Sequence, residues 1–272
     1  MRDGRASLGR QAVRVPGHFG EWMQGRLGPE GPVALVTLCC PVLGVRAPGG
    51  EIRLAELFPE VRLAGFAAAL GLCGDGPGDW PDLSCDMPLG AGAGASTACL
   101  VAAARACGFD GAPERLARAC LAVEGASDPL MYPAPDRLLW ASREGRVLAA
   151  LPPVPRAEIV GGYWGASVAT DPEDVDFPDI SDLVTAWRGG GDLALLAGLA
   201  SEAARRADAR RGPGDPVAGL ARDLGALGHA RAYTGAARAL VFAPGTVPEG
   251  AGAVLCEAGL KGVFRFATGG AG

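Results

Sequence analysis

Two hydrophobic periods alternate along this chain. Residues 33–38 form an apolar run behind Gly31-Pro32, the pattern of a buried strand. Residues 13–15 read as a short strand that Pro16 is expected to break, and Pro41 is expected to end the second strand before pairing resumes at 42–45. Residues 51–54 suggest another short strand. Over 57–72 the apolar positions recur at helical spacing among alanines, predicting a helix. A turn-rich loop at 74–81 and a strand at 83–86 follow. Helices are predicted at 96–107 and 113–123, the latter with proline in its first turn. Segments 137–140 and 146–150 form a hairpin around Glu144-Gly145.

Leu151-Pro152-Pro153 is a break, and a new unit starts near Glu158. We therefore expect two domains, 1–155 and 156–272. In the second half, helices are predicted at 180–187, 192–209 and 216–227. A strand at 239–242, a helix at 249–258 and a strand at 263–267 close the chain. This ending predicts an antiparallel sheet with helices on one side, and so an α+β fold class. The glycine-rich ends are expected to fray.

Composition narrows the function. The 272 residues are 49% hydrophobic and 20% charged, a balance able to bury a core. A net charge of −5 without a basic stripe argues against nucleic acid as a partner. Lys261 is the only lysine, so no Gly-Lys-Ser/Thr phosphate loop exists, and any phosphate grip rests on amides, hydroxyls, arginine and a metal ion. The eight cysteines contain no Cys-x-x-Cys pair, and His18 and His229 are the only histidines, which argues against a zinc cluster. The segment 1–14 is polar and arginine-bearing, with no apolar signal core. No stretch reaches membrane-spanning length, so no membrane partner and a cytoplasmic location are expected.

Four constellations carry candidate chemistry. The run Pro88-Leu89-Gly90-Ala91-Gly92-Ala93-Gly94-Ala95-Ser96-Thr97 enters an apolar helix. Glycines let backbone amides approach an anion, and a helix N-terminus aims positive potential at it. Gly90-x-Gly92-x-Gly94 does not give the dinucleotide fingerprint. Pro16-Gly17-His18-Phe19-Gly20-Glu21-Trp22-Met23-Gln24-Gly25 sets a histidine, a carboxylate and an amide on a glycine-flanked turn. Glu124-Gly125-Ala126-Ser127-Asp128 follows a helix, where acidic groups oppose the dipole and invite a functional reason. Thr234-Gly235-Ala236-Ala237-Arg238 precedes a strand. Taken singly, each reads equally as packing, turn or solvated helix end.

Their order and spacing resemble the GHMP kinase superfamily, named for galactokinase, homoserine kinase, mevalonate kinase and phosphomevalonate kinase. Its central signature is Pro-x-x-x-Gly-Leu-Gly-Ser-Ser-Ala. Here Pro88, Gly92, Gly94, Ser96 and the small Thr97 and Ala98 fall in register, while Ala93 replaces the leucine and Ala95 the first serine. The resemblance implies a ribosomal-protein-S5-domain-2-like first domain and a ferredoxin-like second domain. It implies ATP along Pro88, Gly90, Gly92, Ala93, Gly94, Ala95, Ser96 and Thr97. Mg²⁺ would be held by Ser96 and Glu124, with Thr97 secondary, and Asp128 would be the base or hydroxyl-orienting group. The Thr234 and Gly235 loop resembles the third family motif, poorer in glycine.

Pro16-x-x-x-Gly20-Glu21-x-x-Gln24-Gly25, followed by Cys40-Pro41-Val42, resembles the L-threonine kinase branch of cobalamin synthesis. That implies phosphorylation of the L-threonine hydroxyl, with Glu21, Gln24, Thr234 and Gly235 as substrate contacts. The alternatives are another small alcohol such as homoserine, or a kinase-like nucleotide-binding protein without turnover.

Overall fold

Two long antiparallel strands form the spine: β1 (Val13–Arg26) and β2 (Val33–Ala47). The computed structural model describes residues 11–72, 80–168, 170–212 and 214–270. The polar start up to residue 10, residues 73–79 of the turn-rich loop and the glycine-rich last two residues lie outside the described residues.

The spine corrects two expectations. Pro16 does not end β1, because the ladder shifts register between Pro16 and Gly17, and a proline beside a bulge owes no ladder hydrogen bond. Pro41 does not end β2 either. Pairing runs from Gly17↔Cys40 directly to Pro16↔Gly44, so Pro41, Val42 and Leu43 are left out of the ladder.

The helix predicted over 57–72 is two helices, α1 (Leu54–Leu57) and α2 (Glu60–Leu70). Pro59 separates them, forcing Phe58 into extended backbone at φ −135°, ψ 146°. The strand expected at 51–54 shrinks to one bridge, Ile52↔Leu83. Next come β3 (Ser84–Cys85), α3 (Ala95–Ala106) and α4 (Pro113–Glu124), then β4 (Leu138–Ala141), β5 (Arg146–Ala150) and β6 (Ala157–Tyr163). Helices α5 (Ser181–Arg188), α6 (Leu193–Arg211) and α7 (Val217–Asp223) follow. The chain closes with β7 (Gly228–Arg231), β8 (Ala237–Phe242), α8 (Ala251–Glu257) and β9 (Lys261–Thr268).

The strand β7 had no sequence signal. Gly228-His229-Ala230-Arg231 has no β-branched residue, and its ladder to β8 and its contact with β1 create it. The α7 helix is correspondingly shorter than the 216–227 segment.

All strands belong to one sheet in the order β5-β4-β2-β1-β7-β8-β6-β9, with β3 attached to β2. Every ladder between named strands is antiparallel. The α+β architecture with an antiparallel sheet is thus as expected. The sheet crosses from the first half of the chain to the second where Glu21 of β1 faces Arg231 of β7. One core, including Leu63, Phe66, Leu100, Leu116 and Trp140, draws only on residues up to Val147. Another, around Val160, Val217, Leu240 and Leu255, draws only on residues after 159. A third joins the halves through Phe19, Trp22, Ile159, Phe177, Trp187 and Phe266. Burial of each such large side chain contributes about 1.5–3 kcal/mol to holding the two halves together.

Helix α3 is buried on nearly every side, from Ala95 to Ala106. Its alanines bring the helix axis close to the β1–β2 spine, and this sets the site.

Candidate active site

The glycine loop is held by its own carbonyls. Ala93 O accepts from His18 N–H at 3.1 Å and Gly92 O from Gly20 N–H at 3.0 Å, both on β1. Ala91 O accepts from Ala236 N–H and Ala237 N–H, each at 2.9 Å, at the start of β8. Gly90 O accepts from Val168 N–H at 2.9 Å. The first-turn amides of α3 have no intrahelical acceptor. Gly94, at φ +73°, has no side chain to cap them, and the turn carries no acidic residue. Ala95, Ser96 and Thr97 therefore present an uncapped N-terminus suited to an anion.

Gly94 is obligatory for a second reason. A Cβ there would lie 2.5 Å from His18 Cδ2 and 2.7 Å from Nε2. Bare backbone lets the imidazole reach the loop, and this links the first and second constellations.

The carboxylates converge from another direction. Glu124 ends α4, and Gly125 turns the chain at φ +76°. The following turn is pinned to β4: Trp140 Nε1–H donates to Ser127 O at 2.6 Å, and Ser127 N–H to Ser142 O at 2.9 Å. Thr97 is 1% exposed. Its hydroxyl donates to Glu124 Oε2 at 2.8 Å and accepts from Asp128 N–H at 3.3 Å. Thr97 thus joins the two carboxylate-bearing positions. Burial pushes the Glu124 carboxyl up to about 8, against hydrogen bonds from Ser96 and Thr97 that favour its charge.

His18 Nε2 approaches Asp128 Oδ2 at 3.2 Å, and Nδ1 lies 3.7 Å from Glu21 Oε1. Burial opposes the imidazolium, but the Asp128 and Glu21 charges outweigh it and lift His18 to about 9. Burial likewise raises Glu21 to about 7, despite the His18 charge.

These groups line one cleft of about 400 Å³. Its wall includes His18, Glu21, Gln24, Gly90, Gly92, Ala93, Gly94, Ala95, Ser96, Thr97, Glu124, Asp128 and Thr234. Pro88 and Gly235 do not line it. Pro88 opens the loop, its carbonyl accepting from Ala91 N–H at 3.4 Å. Gly235 packs on the loop from behind, where a Cβ would sit 2.4 Å from Gly92 N. Thr234 Oγ1 lies 3.2 Å from Thr170 Oγ1 at the rim.

Sequence reasoning noted His18 but assigned it no role, and it missed Arg143 and Arg62. Both arginines line the cleft. Arg143 donates to Ser142 Oγ at 3.0 Å and to the carbonyls of Asp171 and Asp174 at 3.3 Å each. Nothing local separates these two from the many other arginines. For His18, the Pro-Gly-His-x-Gly-Glu segment, which lies within strand β1 and not on the expected turn, was a usable signal.

The donor set fits a hard cation beside phosphate: the Ser96 hydroxyl, and a Glu124 carboxylate whose burial leaves its charge in need of a partner. The cleft also has an apolar end, formed by Leu57, Phe58, Pro59 and Val123.

No family model matches the sequence, and no curated protein matches it. Solved structures do. L. major mevalonate kinase, in complex with R-mevalonate, matches with TM-score 0.61 at 14% identity, covering 97% of this chain and 98% of that one. Streptococcus pneumoniae phosphomevalonate kinase gives 0.58 at 10% identity, covering 95% and 99%. Homoserine kinase from Cytophaga hutchinsonii gives 0.56 at 16%, covering 94% of both chains. At these identities the likeness is one of fold. Over nearly its whole length this chain adopts the mixed α/β fold, with its antiparallel sheet, of the GHMP kinases.

Proposed function

We propose that the chain transfers the γ-phosphoryl group of ATP to the hydroxyl of a small molecule, and that the acceptor is L-threonine. One observation carries the phosphotransfer reading: the uncapped α3 N-terminus, the Thr97–Glu124 bond and the His18–Asp128 pair open into the same cleft. Phosphoryl transfer asks a protein chiefly for positioning and charge stabilisation, and these three features provide both.

The amides of Ala95, Ser96 and Thr97 hold phosphate oxygens, and the apolar end around Leu57 and Phe58 receives the base. Ser96 and Glu124 hold Mg²⁺, which when bound neutralises charge on the phosphates. Asp128 orients the acceptor hydroxyl and takes its proton. His18, as imidazolium, pairs with Asp128 and fixes its orientation. Glu21 and Arg143 bring opposite charges to the cleft wall, as the ammonium and carboxylate of an amino acid require. The Pro16–Gly25 and Cys40-Pro41-Val42 motifs favour threonine, whose phosphate would feed the aminopropanol linker of cobalamin. Among the described residues no helix is long and apolar enough to cross a membrane.

A coupled ADP-release assay with threonine, serine, homoserine and mevalonate tests the reading. The highest kcat/KM is expected for threonine. A preference for homoserine or mevalonate removes the threonine assignment and keeps the kinase. ATP binding with no turnover on any acceptor points instead to a nucleotide-binding protein.

A further inference from the structure

His18, Glu21 and Asp128 come from a bulged strand and from the turn after α4, yet one ligand atom from each lies within 4.8 Å of the others. His18 is 2% exposed and Glu21 6%. Two of their polar atoms, His18 Nε2 and Glu21 Oε2, are buried without a hydrogen-bond partner. The other ring nitrogen is occupied. His18 Nδ1 lies 3.2 Å from Gly20 O, and since a carbonyl only accepts, Nδ1 carries the proton. This bond fixes the ring with Nε2 toward Asp128. A backbone carbonyl on the far nitrogen is the usual support of a metal-ligating histidine.

The Nε2–Oδ2 separation is itself informative. An imidazole lone pair and a carboxylate oxygen at 3.2 Å repel unless a positive charge lies between them. A proton is one such charge and a metal ion is another. With metal–ligand bonds of about 2.0–2.2 Å, adjacent ligands of a tetrahedral ion are about 3.3–3.5 Å apart. The His18–Asp128 edge already has nearly that length. Since the three ligand atoms already lie within 4.8 Å of one another, an inward shift of Glu21 by at most roughly 1.5 Å completes a three-ligand face of those dimensions.

We infer that His18, Glu21 and Asp128 form a binding site for a divalent transition-metal ion of the zinc class, with the remaining coordination position open to the cleft. Imidazole with carboxylates suits Zn²⁺ or Co²⁺. Mg²⁺ prefers oxygen donors in octahedral array and belongs with Ser96 and Glu124. The bound ion occupies the Asp128 oxygen that the acceptor hydroxyl needs, so it inhibits. That consequence rests on the kinase reading, whereas the site itself does not.

The test uses Co²⁺ as the probe, titrated into the full chain in magnesium-saturated buffer. One Co²⁺ per chain is expected, with the visible absorption of a four- or five-coordinate ion, displaced by Zn²⁺. His18→Gln and Glu21→Gln should each weaken binding by at least roughly tenfold, and Glu124→Gln should leave it intact. Circular dichroism checks the fold of each variant, and if His18→Gln does not fold, Asp128→Asn takes its place.

Four results overturn the site. They are a spectrum no different from aqueous Co²⁺, an affinity unchanged in His18→Gln or its replacement, loss of binding in Glu124→Gln alone, and an intense near-ultraviolet thiolate band marking a cysteine site. Zn²⁺ inhibition relieved by raising the acceptor, at fixed ATP and Mg²⁺, supports the inhibitory consequence. If no acceptor turns over, the kinase reading fails while the Co²⁺ spectrum still decides the site.

Discussion

Gly235→Ala places one methyl group between the two loops that build the cleft. The Cβ would lie 2.4 Å from Gly92 N, 2.5 Å from Ala91 C and 2.6 Å from Ala91 O. All three are backbone atoms, so no side chain can swing aside, and the loops must part by about 1 Å to restore ordinary contact. Overpacking of this kind costs about 1–3 kcal/mol. Parting also stretches the Ala236 and Ala237 bonds to Ala91 O, each contributing about 0.5–1.5 kcal/mol. The sum is about 2–6 kcal/mol, or roughly 4–24 °C in Tm for a chain of this size. ATP affinity should fall with it, because the displaced loop leads directly into the amides of α3. Gly198→Ala, in α6 with nothing within 4 Å of the new Cβ, is the control. It should stabilise by about 0.5–1 kcal/mol. Thermal unfolding and calorimetric ATP titration read both variants. A Gly235→Ala Tm within about 2 °C of wild type, with unchanged ATP affinity, would refute the claim that these loops are locked backbone to backbone.

Asp128→Asn should lower kcat by about 10²- to 10⁴-fold with ATP affinity retained, and an unchanged kcat in steady-state assays removes Asp128 from proton transfer. Glu124→Gln should raise the Mg²⁺ concentration needed for half-maximal rate while raising Tm at pH 8 in magnesium-free buffer, since it removes a half-buried carboxylate whose charge is desolvated; an unaltered requirement counts against the ligand role. Stability without magnesium should fall as pH rises. The native state holds protons on Glu21 up to about 7, on Glu124 up to about 8 and on His18 up to about 9, above their ordinary values of 4.5, 4.5 and 6.5. The unfolded state therefore releases them first, and His18→Gln should flatten the part of the urea-midpoint curve between pH 6.5 and 9. A wild-type curve that rises over this range contradicts the buried, paired geometry.

Much was legible in the chain itself. The 33–38 run, the apolar α3 and the proline-started α4 follow from local periodicity, and the structure has all three. The glycine loop was legible because φ near +70° at Gly90, Gly92 and Gly94 restricts residue choice so strongly that it leaves a mark in sequence. Prolines misled at 16 and 41, where a bulge supplied what the strand rule forbids, and at 59 a proline was overlooked within a helical pattern.

What sequence could not give was assembly. Strand β7 exists because β8 and β1 flank it, and its residues alone have little strand preference. The contacts of Thr97 with Glu124 and Asp128 span 27 and 31 positions. The three-residue cluster of His18, Glu21 and Asp128 was invisible to a search for metal-ligand spacing, which reads only neighbours in the chain. Sequence by itself determined the local elements and the chemical types available, because torsional preference and hydrophobic period act over a few residues. Tertiary structure alone decided which charges face one another, because burial and Coulomb interaction depend on distance in space.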